Sequence, residues 1–266
     1  MVDMSNDEVP GEVVLTRDRG PIRVLTLNRP HRKNAIDLPL RYALAERLEE
    51  AMADIDIRVI VLTGAAGTFC SGGDISTMSR QSPESARPRA EAAQRVVRAI
   101  WTGGKPVIAA VEGAAYGAGT SLALACDRVV TAADAVFSTA FTGVGLAGDM
   151  GIFASLPARV GPARAKQLML LPEKLSGEHA CRLGMADLVV EPGQALERAL
   201  RDAEAMATAP PLAVAAMKSL WERWPARPVD VLGYEVEAQV RLFGSEDFAE
   251  GVEAFRQRRT PRFVGK

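Results

Sequence analysis

Residues 105–149 read KPVIAAVEGAAYGAGTSLALACDRVVTAADAVFSTAFTGVGLAGD, and the order of elements in this stretch decides the fold. Residues 106–111 (PVIAAV) are an apolar run without polar alternation, the pattern of a strand buried on both faces. Residues 113–119 form a Gly/Ala-rich turn, and a helix of small residues runs from it to about Cys126. A second strand (128–131), a short apolar piece (135–139) and another glycine-rich turn (143–148) follow, and that turn ends on a carboxylate, Asp149. Strand, turn, helix and strand in this order make a βα unit. One backbone-rich turn feeds a helix and the other ends on an acid, so these are the candidate working parts of a site.

Outward from this stretch the same alternation holds. Towards the N-terminus, residues 12–17 and 22–28 are β-rich runs joined by Asp18-Arg19-Gly20-Pro21, a hairpin signal. Residues 28–34 (NRPHRKN) form a polar, basic loop. Asp37 is a good N-cap, and Leu40, Leu44, Leu48 and Met52 recur every four residues, which predicts an amphipathic helix to about Ala53. Residues 59–63 read as a doubly buried strand, followed directly by the glycine-rich loop GAAGTFCSGGD (64–74), a mobile stretch at 75–83 and a helix over 84–101. Towards the C-terminus come 152–156, helices over 162–171 and 176–183, and a short strand at 188–190. From Gln194 onward only helical signals remain, over 195–207, 212–224, 229–243 and 246–258. The expected organisation is an α/β core over 1–195, beginning with a loose tail at 1–10, and a helical C-terminal region over 196–266.

The 266 residues are 48% apolar with a net charge of −1, ample for a core and without the charge asymmetry of a nucleic-acid or membrane surface. The three cysteines, Cys70, Cys126 and Cys181, lie far apart, which is neither a disulfide framework nor zinc spacing and fits a reducing compartment. The N-terminus MVDMSNDEVPGE is acidic and polar, unlike a secretory signal. The longest apolar run, 107–126, is interrupted by Glu112, Gly113, Gly117 and Gly119, so it is a core segment rather than a membrane span. The expected location is the cytoplasm.

Gly143-Val144-Gly145-Leu146-Ala147-Gly148 matches G-x-G-x-x-G, but it lies mid-chain, the helix after it meets Pro157, and no well-placed acid follows about twenty residues on. There is no G-x-S-x-G, no P-loop and no H-E-x-x-H, and the two histidines, His31 and His179, read as surface or packing residues. What remains is Gly72-Gly73-Asp74 and Gly117-Ala118-Gly119, two loops small enough for backbone N–H groups to face a ligand. Two such donors aimed at one point, one at a helix N-terminus, hold a developing oxyanion. Tight strand–helix packing selects the same small residues, and on the residues alone both readings stand.

The segments NRPHRKNAI (28–36), VIVLTGAAGTFCSGGDI (59–75), KPVIAAVEGAAYGAGTSLALACD (105–127) and LPARVGPARAKQLMLL (156–171) are very similar to the enoyl-CoA hydratase/isomerase, or crotonase, superfamily, and the likeness continues to FRQRRTPRFVGK (255–266). The resemblance implies an α/β fold wound as a spiral of ββα units, with a C-terminal helical region that trimerises and covers the pocket, giving a homotrimer or a dimer of trimers. It implies an acyl-CoA thioester as ligand, coenzyme A being part of the substrate and no separate cofactor or metal being used. The amides of Gly73 and Ala118 would hold the thioester oxygen. Arg32 and Lys33 would meet the CoA phosphates, unless they are simply a solvated basic loop. Ala35, Ser71, Asp74 and Ile75 are carried over as substrate-contact positions beside these loops.

The two glutamates with which hydratases of this superfamily activate water fall on Ser121 and Phe141. Neither side chain can act as a carboxylate, and Phe141 would make its side of the pocket apolar. Asp149 falls where isomerases of the superfamily carry an aspartate. A solitary carboxylate against an apolar wall accepts a proton well; capping the following helix is the alternative role for it. Asp74 and Asp127 read as structural, the first fixing the glycine loop and the second ending the central helix. The expected activity is a double-bond shift in an unsaturated acyl-CoA. Hydration of a 2-enoyl-CoA and acyl-CoA binding without turnover are the competing expectations.

Overall fold

The computed structural model describes residues 11–223 and 225–266. The tail at 1–10 and the predicted helix end at Trp224 lie outside the described residues. In chain order the elements are β1 (Val14–Arg19), β2 (Ile22–Leu27), α1 (Leu38–Ala53), β3 (Val59–Gly64), α2 (Pro83–Thr102), β4 (Val107–Val111), β5 (Ala114–Tyr116), α3 (Ala118–Ala125), β6 (Arg128–Ala132) and β7 (Val136–Ser138). They continue as α4 (Ile152–Val160), α5 (Pro162–Leu170), β8 (Leu175–Ser176), α6 (Gly177–Leu183), β9 (Leu188–Val190), α7 (Ala195–Ala207), α8 (Pro211–Glu222), α9 (Pro228–Phe243) and α10 (Glu246–Gln257).

Six strands form one sheet in the order β1-β2-β3-β4-β6-β9, parallel except for the β1–β2 hairpin. β5, β7 and β8 form a second, smaller sheet. Parallel bridges Ile36–Gly73 and Cys70–Ala115 extend that inner layer. Each excursion from the large sheet therefore lays a short extended piece in the inner layer before the chain returns: Ile36 after β2, Cys70 to Gly73 after β3, β5 after β4 and β7 after β6. This is the expected spiral of ββα units. The sequence reading of 113–119 as a turn missed β5. A three-residue strand of Ala and Tyr carries no period, and only its pairing with β7 makes it one.

The inner strands of the large sheet are apolar on both faces because both are covered. Ile60, Leu62, Val107, Ala109 and Val111 face the main core with Leu40, Leu44 and Leu48 of α1 and Val96, Val97 and Ile100 of α2. Val59, Val61, Ile108 and Ala110 point the other way, onto Ala195, Ala199, Leu200 and Ala203 of α7. The period-2 alternation of the strand decides which side chain enters which core. Glu112 caps α7, its carboxylate accepting from Gly193 N (3.0 Å) and Ala195 N (2.8 Å). A boundary at 195 thus cuts off a helix that closes the second core, and the layered body runs through α7.

Helix α8 is tied to this body by Lys218. Its ammonium is buried and donates to the Asp127 carboxylate at 2.6 Å and to Ile100 O at 3.2 Å. Asp127 also accepts from Val107 N at 2.8 Å, so it joins β4, α3 and α8 rather than only ending α3. On α9, Leu232, Val236, Val240 and Phe243 form an exposed apolar stripe. Helix α4 runs through Pro157 to Val160 instead of stopping there. Among the described residues no helix is long and apolar enough to cross a membrane.

Candidate active site

The glycine loop leaves β3 and runs along the inner layer. Ile36 N donates to Gly72 O (2.7 Å) and Asp74 N donates to Ile36 O (2.9 Å). Backbone groups alternate sides along an extended strand, so the Gly73 N–H between them faces away from Ile36. Gly72 has φ +101°, and a Cβ there would lie 2.7 Å from Tyr116 O and 3.9 Å from the Ala118 nitrogen. Only glycine fits this approach, and it brings the loop against the start of α3.

At that start Gly117 has φ +49° and donates to Ser138 O at 2.8 Å. Ala118 is the first helical residue, so its N–H has no intrahelical acceptor and carries the positive end of the helix dipole. Among the described residues neither the Gly73 nor the Ala118 amide donates to a protein acceptor. Helix α3 cannot drift off the loop: a Cβ on Gly119 would stand 2.3 Å from Cys70 O. Thr120 fastens it to the inner layer, its hydroxyl donating to Ser138 O at 2.9 Å.

The basic loop at 28–34 braces the glycine loop from behind. Asn34, fully buried and left-handed at φ +55°, accepts from Arg29 N (2.9 Å) and donates to the carbonyls of Ala65 (3.0 Å) and Thr68. Ser71 N donates to Lys33 O (3.0 Å) and its hydroxyl to Arg32 O (3.3 Å). Arg32 and Lys33 themselves are exposed, with their backbones locked to this loop. Ala35 is buried, and its carbonyl accepts from the Arg29 guanidinium. Ile75 projects into solvent.

Asp74 is buried and caps the turn Ile75–Thr77, so the stretch predicted as mobile begins with an anchored turn. Its carboxylate accepts from the Ser76 hydroxyl (2.6 Å) and the Arg29 guanidinium (2.9 Å). The Ser76 hydrogen bond first, then the Arg29 charge, hold the Asp74 carboxyl below its ordinary value against the opposing effect of burial. A depressed folded-state pKa contributes stability above the unfolded pKa and loses it as pH falls through the folded one. Asp74→Asn is therefore expected to cost about 1–2 kcal/mol at neutral pH, with the deficit closing below about pH 4. Denaturant titrations of both proteins across that range check it.

Ser121 and Phe141 meet at Gly117. The Ser121 hydroxyl folds back to donate to Gly117 O (3.3 Å), and a Cβ on Gly117 would touch the Phe141 ring at 3.7 Å. Both side chains are buried, so this wall carries a hydroxyl and a phenyl ring and no acid.

Asp149 lies between Gly148 (φ +131°) and Met150 (φ +53°), with Gly151 (φ +78°) beyond. A Cβ on Gly151 would stand 2.5 Å from the Trp101 ring, so the segment is pressed against α2. The sequence predicts a solitary carboxylate, and the structure corrects this: Arg41 Nη2 donates to its Oδ2 at 3.0 Å. Its Oδ1 is buried and has no partner. A cavity of about 770 Å³ opens between α2 and residues 149–151, lined by Ala90, Gln94, Val97, Trp101, Asp149 and Met150 among others. Gly73 and Ala118 are not in that lining. Burial pushes the Cys70 thiol up to about 12, so it stays a neutral packing group beneath the glycine loop.

Sequence reading missed Arg41. The signal was there: it falls among Leu40, Leu44 and Leu48 on the buried face of α1, where a cation needs a partner. His31 is exposed, and among the described residues no cluster of three or more His, Cys, Asp or Glu could hold a metal.

One amide on the glycine loop and one at the N-terminus of α3 sit on a ββα spiral, and comparison identifies that fold. The family profile described as enoyl-CoA hydratase/isomerase matches residues 17–266, and the chain belongs to that family. It is an acyl-CoA enzyme of the crotonase superfamily. A probable enoyl-CoA hydratase of Rhodobacter capsulatus is 38% identical over 92% of this chain and 95% of its own length. A 1,2-epoxyphenylacetyl-CoA isomerase of Escherichia coli K12 is 37% identical over 96% and 99%. The crystal structure of an enoyl-CoA hydratase from Polaromonas sp. JS666 superposes with a TM-score of 0.90 at 36% identity, covering 94% of this chain and 99% of that one.

Proposed function

We propose that this protein is an isomerase that shifts a double bond in an unsaturated acyl-CoA through a thioester enolate. A thioester carbonyl acidifies its α-protons and, in an unsaturated chain, its γ-protons. The Asp149 carboxylate takes one such proton, and the C–H electron pair passes into the conjugated system and onto the thioester oxygen. The Gly73 and Ala118 amides hold that negative charge. Asp149 returns the proton at the other end of the system, leaving the double bond moved. Arg32 and Lys33 meet the CoA phosphates, and no separate cofactor or metal takes part. The protein works in the cytoplasm as a homotrimer or dimer of trimers assembled through α8, α9 and α10, with the exposed stripe on α9 as the supporting feature.

The observation that carries this reading is the asymmetry of the site. Two amides are without protein acceptors, one carboxylate, Asp149, lines a cavity, and both hydratase positions hold residues that cannot ionise as acids. One base suffices for a proton shuttle, whereas the two-glutamate hydration route lacks both groups. The isomerase name of the E. coli relative supports the reading; the hydratase name of the R. capsulatus relative favours water addition.

The test is a panel of 2-enoyl-, 3-enoyl- and ring-bearing acyl-CoA thioesters incubated in D₂O and followed by NMR. Deuterium at C2 or C4 with a displaced double bond is the expected result. A 3-hydroxyacyl product from crotonyl-CoA gives the reaction to the hydratase reading. Tight binding with no deuterium uptake on any thioester makes the protein a binding module.

A further inference from the structure

Arg41 is 3% exposed on the apolar face of α1, and its guanidinium spans three elements. Nη1 donates to Arg89 O of α2 at 2.8 Å, and Nη2 donates to Asp149 Oδ2 at 3.0 Å. Its Nε has no partner. Among the described residues the buried side-chain polar atoms without a partner are Arg41 Nε and Asp149 Oδ1, one on each member of this pair.

The Nε and Nη2 edge of an arginine ordinarily grips both carboxylate oxygens side-on. Elsewhere in this molecule it does: Arg95 holds Glu49 through Nε (2.7 Å) and Nη2 (2.6 Å), and Arg23 holds Asp18 through Nε (2.8 Å) and Nη2 (2.7 Å). Those pairs are at the surface, where water would satisfy an idle atom. At Arg41 the fork is buried and engages a single oxygen, as Arg29 does at Asp74 (2.9 Å), but here Nε is left buried without a partner. A leucine would fill the same face of α1 without bringing a buried charge, so packing alone gives no reason for a cation there.

Resting on the isomerase reading, we propose that Arg41 is a positioning residue for proton transfer: its hydrogen bond to Oδ2 fixes the direction of the partly exposed Asp149 carboxylate, the group that exchanges protons with the substrate. The Arg89 carbonyl sets the guanidinium, the guanidinium sets the carboxylate, and neither touches substrate itself. The other charges around the pair are the Arg89 guanidinium, which burial and then the Arg41 charge disfavour while Asp149 supports it, with Asp37 and Asp74 beyond. Arg41 is therefore the cation in hydrogen-bond contact with Asp149, and Arg89 acts on it only through space.

The test uses the purified full chain and a 3-enoyl-CoA, with kcat and KM for deuterium exchange, CoA-thioester Kd and thermal melting measured for each variant. Arg41→Met is expected to lower kcat about 100-fold with KM and Kd within about threefold of the parent. Arg41→Lys keeps a charge but cannot reach both Arg89 O and Asp149, and is expected to lose about tenfold in kcat. If Arg41→Met does not fold, the Lys variant carries the test by itself. Arg41→Met combined with Asp149→Asn should lose no more than Asp149→Asn alone, because the arginine acts only through that carboxylate.

Unchanged kcat in Arg41→Lys, a loss expressed in KM, or a double variant worse than Asp149→Asn overturns the proposal. These outcomes leave the isomerase reading intact so long as Asp149→Asn is inactive. If Asp149→Asn exchanges at the parent rate, the base itself is misassigned and both readings fall.

Discussion

Asp149→Asn is expected to slow solvent deuterium uptake into an acyl-CoA substrate by about 100- to 10,000-fold, the range for losing a positioned general base. Acyl-CoA affinity should stay within about threefold. The substitution is conservative where structure is concerned. The amide oxygen of asparagine still accepts from Arg41 Nη2, and the left-handed residues on either side keep the segment in place. What is lost is the ability to carry a proton, since a carboxamide does not take one up at neutral pH. NMR exchange in D₂O measures the first quantity, and calorimetry with a CoA thioester the second. Exchange undiminished in the variant would move the base elsewhere. Exchange and affinity lost together would show that Asp149 builds the site instead of working in it.

Ala118→Pro is expected to lower kcat/KM at least about 100-fold, in line with removal of one oxyanion donor, worth roughly 3–4 kcal/mol. Proline is tolerated at the first position of a helix, where its missing N–H breaks no intrahelical bond and its φ is already helical. Gly117, at φ +49° and ψ −114°, lies outside the α region that a following proline disfavours. The fold should therefore survive, as a melting temperature within a few degrees of the parent would show. The ring carbon enters the space of the lost proton, so the thioester oxygen is excluded as well as unsupported, and both kcat and KM should suffer. A variant that melts normally and turns over normally would show that this amide faces no substrate oxygen. Together the two substitutions separate the roles: one removes the proton carrier and leaves binding, the other removes charge stabilisation and damages both.

Several parts of this molecule were legible in the sequence for local reasons. The doubly buried strands at 59–63 and 106–111 showed as unbroken apolar runs, and α1 showed as Asp37 followed by leucines every four residues. Both glycine loops stood out because Gly72 and Gly117 occupy backbone conformations closed to other residues. Other features were invisible because they are properties of pairs. β5 is three residues with no period of their own, made a strand by β7. The role of α7 as the lid of the second core depends on which strand face it meets, so a reading that tracked only the end of strand signal set the boundary at 195. Pro157 read as a helix stop, and α4 continues past it.

The same division runs through the candidate site. By itself the sequence determined the family-specific loops, the absence of an acid at Ser121 and Phe141, and the presence of one at Asp149. These are matters of residue type at a position, and no folding can alter them. Only the tertiary structure decided that Asp149 has company: Arg41 lies more than a hundred residues earlier in the chain, and no local periodicity couples the two. Folding α1 against α2 and the 149–151 segment makes them neighbours. A buried guanidinium must find an anion, and the burial that enforces their pairing also leaves one carboxylate oxygen without a partner.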